Sequence, residues 1–253
     1  MELRIAYLYA TGMNVYGDRG NVIALVQRCR WRGFDVAVHE LGVGAVGDLR
    51  GYDLIFAGGG QDRDQVAVSR DLQGSAGSSL REAIEDDAVV LTVCGTYQLL
   101  GSEFRTGAGN VLPGIGVFDA WTVAGPRRHI GDALVRAEVG GRRIDLVGFE
   151  NHSGRTFLGP TGQPLATVII GAGNNGEDGR EGTRYRNAFG TYLHGPLLPK
   201  NPDFADYLVE LALRRRLGEP PRLAPLDDRF EREAHQRMVE RIYRRGRVKS
   251  GVV

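Results

Sequence analysis

The chain has 253 residues, 42% of them apolar and 25% charged, with a formal net charge of +1 at pH 7. That length holds one large α/β domain or two small ones, and the near-neutral charge gives nucleic acid no electrostatic handle as a partner. Two cysteines, Cys29 and Cys94, form neither a disulfide framework nor a metal-ligand spacing, so no metal is expected, and a usable thiol points to the cytoplasm.

Met1 to Ile5 leads directly into a strand with no signal-type apolar core, and no apolar run approaches the ~20 residues of a membrane span. Arg4 to Tyr9 reads as a buried strand, and Ala10 to Arg19 as a loop carrying Gly12, Asn14, Gly17 and Asp18. Asn21 to Arg32 has Val22, Leu25, Val26 and Cys29 at helical spacing, with Arg28 and Arg30 on other faces and Gly33 as terminator. Asp35 to Leu41 and Asp53 to Ala57 read as strands, the second ending in Gly58-Gly59-Gly60. A helix is expected over Asp62 to Leu72, and Ser79 is expected to cap another over Leu80 to Asp86. Val89 to Val93 is a buried strand that runs into Cys94. This alternation predicts an α/β fold with a mainly parallel central sheet flanked by helices, whose ligands gather at the carboxyl ends of the strands.

The middle of the chain changes character. Val117 to Val123, Ala133 to Val139 and Arg142 to Phe149 read as antiparallel strands, with a hairpin turn at Gly140-Gly141. Asn174, Glu177, Asp178 and Glu181 do not match a calcium loop and read as a solvated loop. Ala188 to Leu193 is the last core strand, before His194-Gly195-Pro196. Asn201 is an expected N-cap with Pro202 at the first helical position, opening a helix to about Arg216. Pro220 and Pro221 break the chain ahead of a charged helix over Asp227 to Arg245. The organisation expected is one domain over 1–217 and a C-terminal helical extension over 218–253.

Cys94 carries the chemistry. A cysteine at the turn between a buried strand and a helix is pushed out of the sheet, and the helix N-terminus directs unpaired N–H groups toward the sulfur, favouring thiolate. A thiolate nucleophile needs a base, and His194 ends a strand whose end should lie at the same sheet edge. His152, read as part of a hairpin turn, is the less rigid mount and is expected to line the pocket. Oxyanion donors would come from the Gly95 N–H and from the Gly58-Gly59-Gly60 backbone. The chain lacks the G-x-x-x-x-G-K-[ST] phosphate loop, so any ATP binds elsewhere.

The order Gly58-Gly59-Gly60, Cys94-Gly95-x-Tyr97-Gln98 and a late His194 resembles class I glutamine amidotransferases of the cobyric acid synthase branch. More narrowly, four segments resemble the glutaminase subunits of lipid II isoglutaminyl synthases. They are Asn14-x-Tyr16-x-Asp18-x-Gly20-Asn21, Gly58 to Arg63, Gly148 to His152, and Gly190 to Asn201. The resemblance implies that Cys94 is the nucleophile and His194 its base, that Gly59 and Gly95 are oxyanion donors, and that Gln98 and Arg128 hold L-glutamine. Arg127 leaves the register of that arginine open by one residue, and a planar guanidinium suits the substrate carboxylate. The resemblance further implies a Mur-ligase-like (MurT-type) synthetase partner that carries ATP and Mg²⁺, with no cofactor in this chain. The ammonia would amidate the D-glutamate α-carboxyl of lipid II.

One departure stands out. Class I amidotransferases mostly place an imidazole-orienting glutamate two residues after the histidine, where this chain has Pro196. A carboxylate from the partner is therefore expected to complete the site and couple hydrolysis to complex formation. Two other readings remain open: a glutaminase for a corrinoid acceptor, and a non-catalytic scaffold of the same fold.

Overall fold

The computed structural model describes residues 1–219 and 222–250. Buried strands alternate with helices in its first part: β1 (Glu2–Leu8), α1 (Arg19–Arg30), β2 (Asp35–Leu41), β3 (Leu54–Ala57), α2 (Asp62–Leu72), α3 (Ser75–Glu85), β4 (Val89–Val93) and α4 (Gly95–Leu100). Strands dominate the middle: β5 (Glu103–Arg105), β6 (Val111–Pro113), β7 (Ala120–Val139), β8 (Arg142–Leu158), β9 (Ala166–Ile170), β10 (Arg180–Glu181), β11 (Thr183–Tyr185) and β12 (Ala188–Thr191). Helices α5 (Pro202–Leu217) and α6 (Arg229–Ser250) follow. Pro220 and Pro221, expected to break the chain, lie outside the described residues.

Six strands form the first sheet in the order β11-β12-β4-β3-β1-β2, and only the edge pair β11–β12 is antiparallel. β3, β4 and β12 are buried along their whole length, which is why they read as continuous apolar runs. β12 pairs with β4 in a register that sets Thr191 beside Val93. The segments that follow these strands, with Cys94 and His194, therefore leave the sheet at one edge. The second sheet has the order β10-β9-β7-β5-β6, with β8 paired to β7.

Several expectations are corrected. The segments Val117 to Val123 and Ala133 to Val139 belong to one strand system: β7 is a single strand from Ala120 to Val139, interrupted by a bulge between Ala124 and His129. Gly125 and Pro126 break the apolar alternation there without ending the strand. β8 continues to Leu158, so His152 sits within a strand and not in a hairpin turn. The hairpin turn itself is at Gly140-Gly141, where φ is +56° and +72°, as a type I′ turn requires.

Helix α3 begins at Ser75, and Ser79 lies inside it, its Oγ accepting the Leu49 N–H at 2.8 Å. Asn201 precedes α5 but makes no side-chain cap; its amide instead bridges Val147 N–H and C=O and the Leu197 carbonyl. Arg28 is buried, forked onto Asp206 and Asp228. The loop between β9 and β10 is only partly solvated. Glu177 and Asp178 are exposed, but Asn174 and Glu181 are buried, because side chain-to-backbone bonds replace the missing ladder. Along α6, Ile242 packs with Leu134 of β7 and Val147 of β8. No helix among the described residues is long and apolar enough to cross a membrane.

Candidate active site

Cys94 sits where β4 turns into α4, with φ +52° and ψ −105°. An L-residue in that conformation carries strain of order ~1–3 kcal/mol, held here by the surrounding hydrogen bonds. The Cys94 N–H donates to the Thr191 carbonyl at 2.8 Å, and the Thr96 hydroxyl donates to the carbonyls of Ala57 and Gly58 at 2.8 and 2.9 Å. These bonds tie the elbow to β12 on one side and β3 on the other. Cys94 is buried, with 8% of its surface exposed, where the turn leaves the sheet.

His194 follows β12, and its backbone exchanges two hydrogen bonds with Phe149 of β8, at 2.9 and 3.1 Å. That bridge fixes the imidazole between the two sheets. A Cβ on Gly59 would stand 2.8 Å from His194 Cε1 and 3.1 Å from Cys94 Cβ. Thiol, imidazole and glycine thus meet at one point, and only glycine fits there. The Nδ1 of His194 lies 3.2 Å from Asp18 Oδ1, and Nε2 is buried without a hydrogen-bond partner. Burial works against a charge on His194, but the Cys94 sulfur and the Asp18 carboxylate outweigh it and push its pKa up to about 10. A carboxylate of this chain, Asp18, thus faces Nδ1 of the imidazole.

Gly59 differs from expectation as well. Its N–H donates to Asp18 Oδ2 at 2.8 Å and is not free for an oxyanion. Gly95 keeps the expected role open: as the first residue of α4 its N–H has no intrahelical acceptor. A Cβ on Gly95 would come within 2.5 Å of Gln65 Nε2, so glycine is needed for that approach. Gln65 in turn donates to Gln98 Oε1 at 3.2 Å, and Gln98 Nε2 donates to the Tyr192 hydroxyl at 3.1 Å. Gln98 is thus already bonded at both ends of its amide.

Arg128 lies in the β7 bulge, exposed, its Nε and Nη2 donating to the side chain and carbonyl of Asn151. That anchoring aligns Arg128, rather than Arg127, with the Asn151-His152 stretch. His152 is buried, stacked on Tyr192 at 3.7 Å between ring centroids, and its Nδ1 lies 2.7 Å from the Gly154 carbonyl. Burial, with the nearby charges of His194 and Arg128 adding to it, lowers its pKa to about 3, so it is neutral and lines the site without titrating.

The arrangement holds a thiol, an imidazolium, a free helix-terminal N–H and a surface arginine, the components of acyl transfer from a small amide. Asp18, Gln65 and Tyr192 are site residues that residue-by-residue reading passed over. Asp18 had only its place in the Asn14 to Asn21 motif to mark it. Among the described residues no group of three or more His, Cys, Asp or Glu side chains is placed to hold a metal ion.

Residues 4–202 match the CobB/CobQ-like glutamine amidotransferase domain family. The chain is 40% identical over 245 residues to subunit GatD of lipid II isoglutaminyl synthase (glutamine-hydrolyzing) from Staphylococcus aureus (strain N315), covering 96% of this chain and 97% of that one. It is 38% identical over 233 residues to the subunit of the same name from Streptococcus pneumoniae (strain ATCC BAA-255 / R6), covering 92% and 88%. A probable cobyric acid synthase of Methanococcus maripaludis is 33% identical over 161 residues, 59% of this chain but only 32% of that one. Among solved structures, PurLQS from Thermotoga maritima superposes with a TM-score of 0.56 at 15% identity, over 86% of this chain and 99% of that one, a likeness of fold alone. With its family match spanning most of its length and its elbow thiol set beside a histidine, the chain belongs to the CobB/CobQ-like glutamine amidotransferases.

Proposed function

We propose that the chain is the glutaminase subunit of a two-subunit lipid II isoglutaminyl synthase, working in the cytoplasm, with its catalytic unit in 1–217 and a helical extension in 218–253. The observation that carries the chemistry is the strained elbow of Cys94 packed against His194 around Gly59. The acceptor is inferred from the two relatives that match over nearly their whole length. The cobyric acid synthase relative is matched over a third of its length, which favours a separate synthetase over the corrinoid reading.

In this reading the Cys94 thiolate attacks the carboxamide carbon of L-glutamine, whose carboxylate Arg128 holds. The oxyanion that forms faces the Gly95 N–H. His194, protonated at neutral pH, gives its proton to the leaving nitrogen, and the C–N bond breaks to release ammonia and leave a glutamyl thioester. Neutral His194 then takes a proton from water as it attacks the thioester, freeing glutamate and restoring the thiolate–imidazolium pair. A Mur-ligase-like partner, carrying ATP and Mg²⁺, activates the D-glutamate α-carboxyl of lipid II and receives the ammonia. The test is glutamate release by the chain together with that synthetase. Cys94→Ala and His194→Ala each abolish release under this proposal. Retained release in Cys94→Ala overturns it and favours a scaffold.

A further inference from the structure

The segment from Asn14 to Asn21 touches the His194 strand end at four places, and neither glutamine binding nor ammonia release accounts for that. Tyr16 sets its ring edge-on to the imidazole, 5.0 Å between centroids at 70°. Asp18 Oδ1 lies 3.2 Å from Nδ1. Gly20 seats Pro196, since a Cβ there would come 2.4 Å from Pro196 Cγ. Asn21 Oδ1 accepts the Leu198 N–H at 2.8 Å.

Asp18 is fully buried and spends both carboxylate oxygens in the site, one on His194 and one on the Gly59 N–H. It occupies the N-cap position of α1, where an aspartate ordinarily caps the helix, yet it makes no side-chain cap bond. A favoured local bond is forgone for one to a residue 176 positions away. Pro196, two residues beyond His194, has no side-chain acceptor with which to orient the ring.

We propose that Asp18 is the positioning carboxylate of this active site: it accepts the Nδ1–H of His194, which fixes the tautomer that presents Nε2 to the Cys94 sulfur. Gly20 and Asn21 hold the strand end where that bond is made. The inference rests on the glutaminase reading. The other titratable and charged groups around the ring are Cys94 from the α4 turn, His152 from β8, Tyr16 from the loop before α1, and Lys200, whose Nζ lies 3.1 Å from where a Gly195 Cβ would stand.

Asp18→Asn keeps an acceptor oxygen but removes the charge, and Asp18→Ala removes both. With the synthetase present, Asp18→Ala lowers kcat for glutamate release by about 10²-fold or more with KM nearly unchanged. Asp18→Asn moves the alkaline limb of the kcat/KM profile down by about one pH unit or more. An unmoved limb, or a loss confined to KM, overturns the proposal. Nitrogen-15 histidine spectra of the full-length wild-type chain supply a second reading should the variants fail to fold. Neutral His194 carries its hydrogen on Nδ1 if the proposal holds, and a hydrogen on Nε2 overturns it. Failure of the glutaminase reading looks different: glutamate release then survives Cys94→Ala, whatever the tautomer.

Discussion

At the residue scale the two cysteines show how placement decides reactivity. Cys29 lies inside α1, 2% exposed, and burial pushes its thiol up to about 12, so it stays protonated and inert. Cys94 lies at a strained turn beside an imidazole that keeps its proton through neutral pH. Gly59 is the hinge of that arrangement, because any side chain there displaces both His194 and Cys94. Gly59→Ala is expected to lower kcat by about 10²-fold, the cost of an ångström-scale misplacement of reacting groups, and to lower the melting temperature, since overpacking a buried site costs about 1–3 kcal/mol. Steady-state glutamate release with a thermal melt checks both halves of that expectation.

At the element scale α1 carries Asp18 at its start and a buried charge cluster at its end. Arg28 forks onto Asp206 of α5 and Asp228 ahead of α6, and Arg32 adds a second fork to Asp206. These bonds tie α1 to α5 and to the segment entering α6, so they also set the depth at which the N-terminal turn of α1 meets His194. Removing the arginine strands a buried carboxylate, and that penalty exceeds what a new apolar contact returns. Arg28→Met is expected to destabilise the chain by about 3–5 kcal/mol, measured as a fall in the denaturant midpoint. A neutral effect would mean that Asp206 and Asp228 find other partners. The same helix shows why its arginine was misread: helical spacing placed Arg28 off the apolar face, and its partners lie about 180–200 residues away along the chain.

At the scale of the whole molecule, two buried groups give stability an uneven pH response. Glu181 is fully buried, its Oε1 accepting from the Thr191 hydroxyl and the Tyr192 N–H while Oε2 has no partner. Burial raises its pKa to about 7, so the folded state holds a proton that the unfolded chain gives up near 4.5, and stability falls as pH rises between those values. His152 acts oppositely: lowered to about 3, it adds stability above about 6.5 that is lost as pH drops toward 3. Glu181→Gln mimics the protonated form. Its melting temperature is expected to gain on wild type steadily from pH 4.5 to 7, by an amount worth ~3 kcal/mol at most. A difference independent of pH would contradict the burial of a charge there.

The parts legible in the sequence were those that local pattern specifies. Val89 to Val93 followed by Cys94-Gly95 located the elbow, and the apolar run before His194 located its mount. Long-range pairing was not legible. The bulge at Gly125 and Pro126 hid the continuity of β7, and buried Asn174 and Glu181 looked like solvated loop residues because their partners are backbone groups brought in by the fold. Asp18 was hidden for the same reason, since an aspartate in the Ala10 to Arg19 loop reads as a turn residue until the topology sets it against His194.

The most direct test of the account is covalent labelling with a diazo-ketone analogue of glutamine, read out by peptide mass spectrometry. One adduct on the Cys94 peptide is expected, suppressed by glutamine and absent from Cys29. An adduct on Cys29, or labelling of Cys94 that glutamine does not suppress, would contradict a glutamine-specific thiolate at that turn.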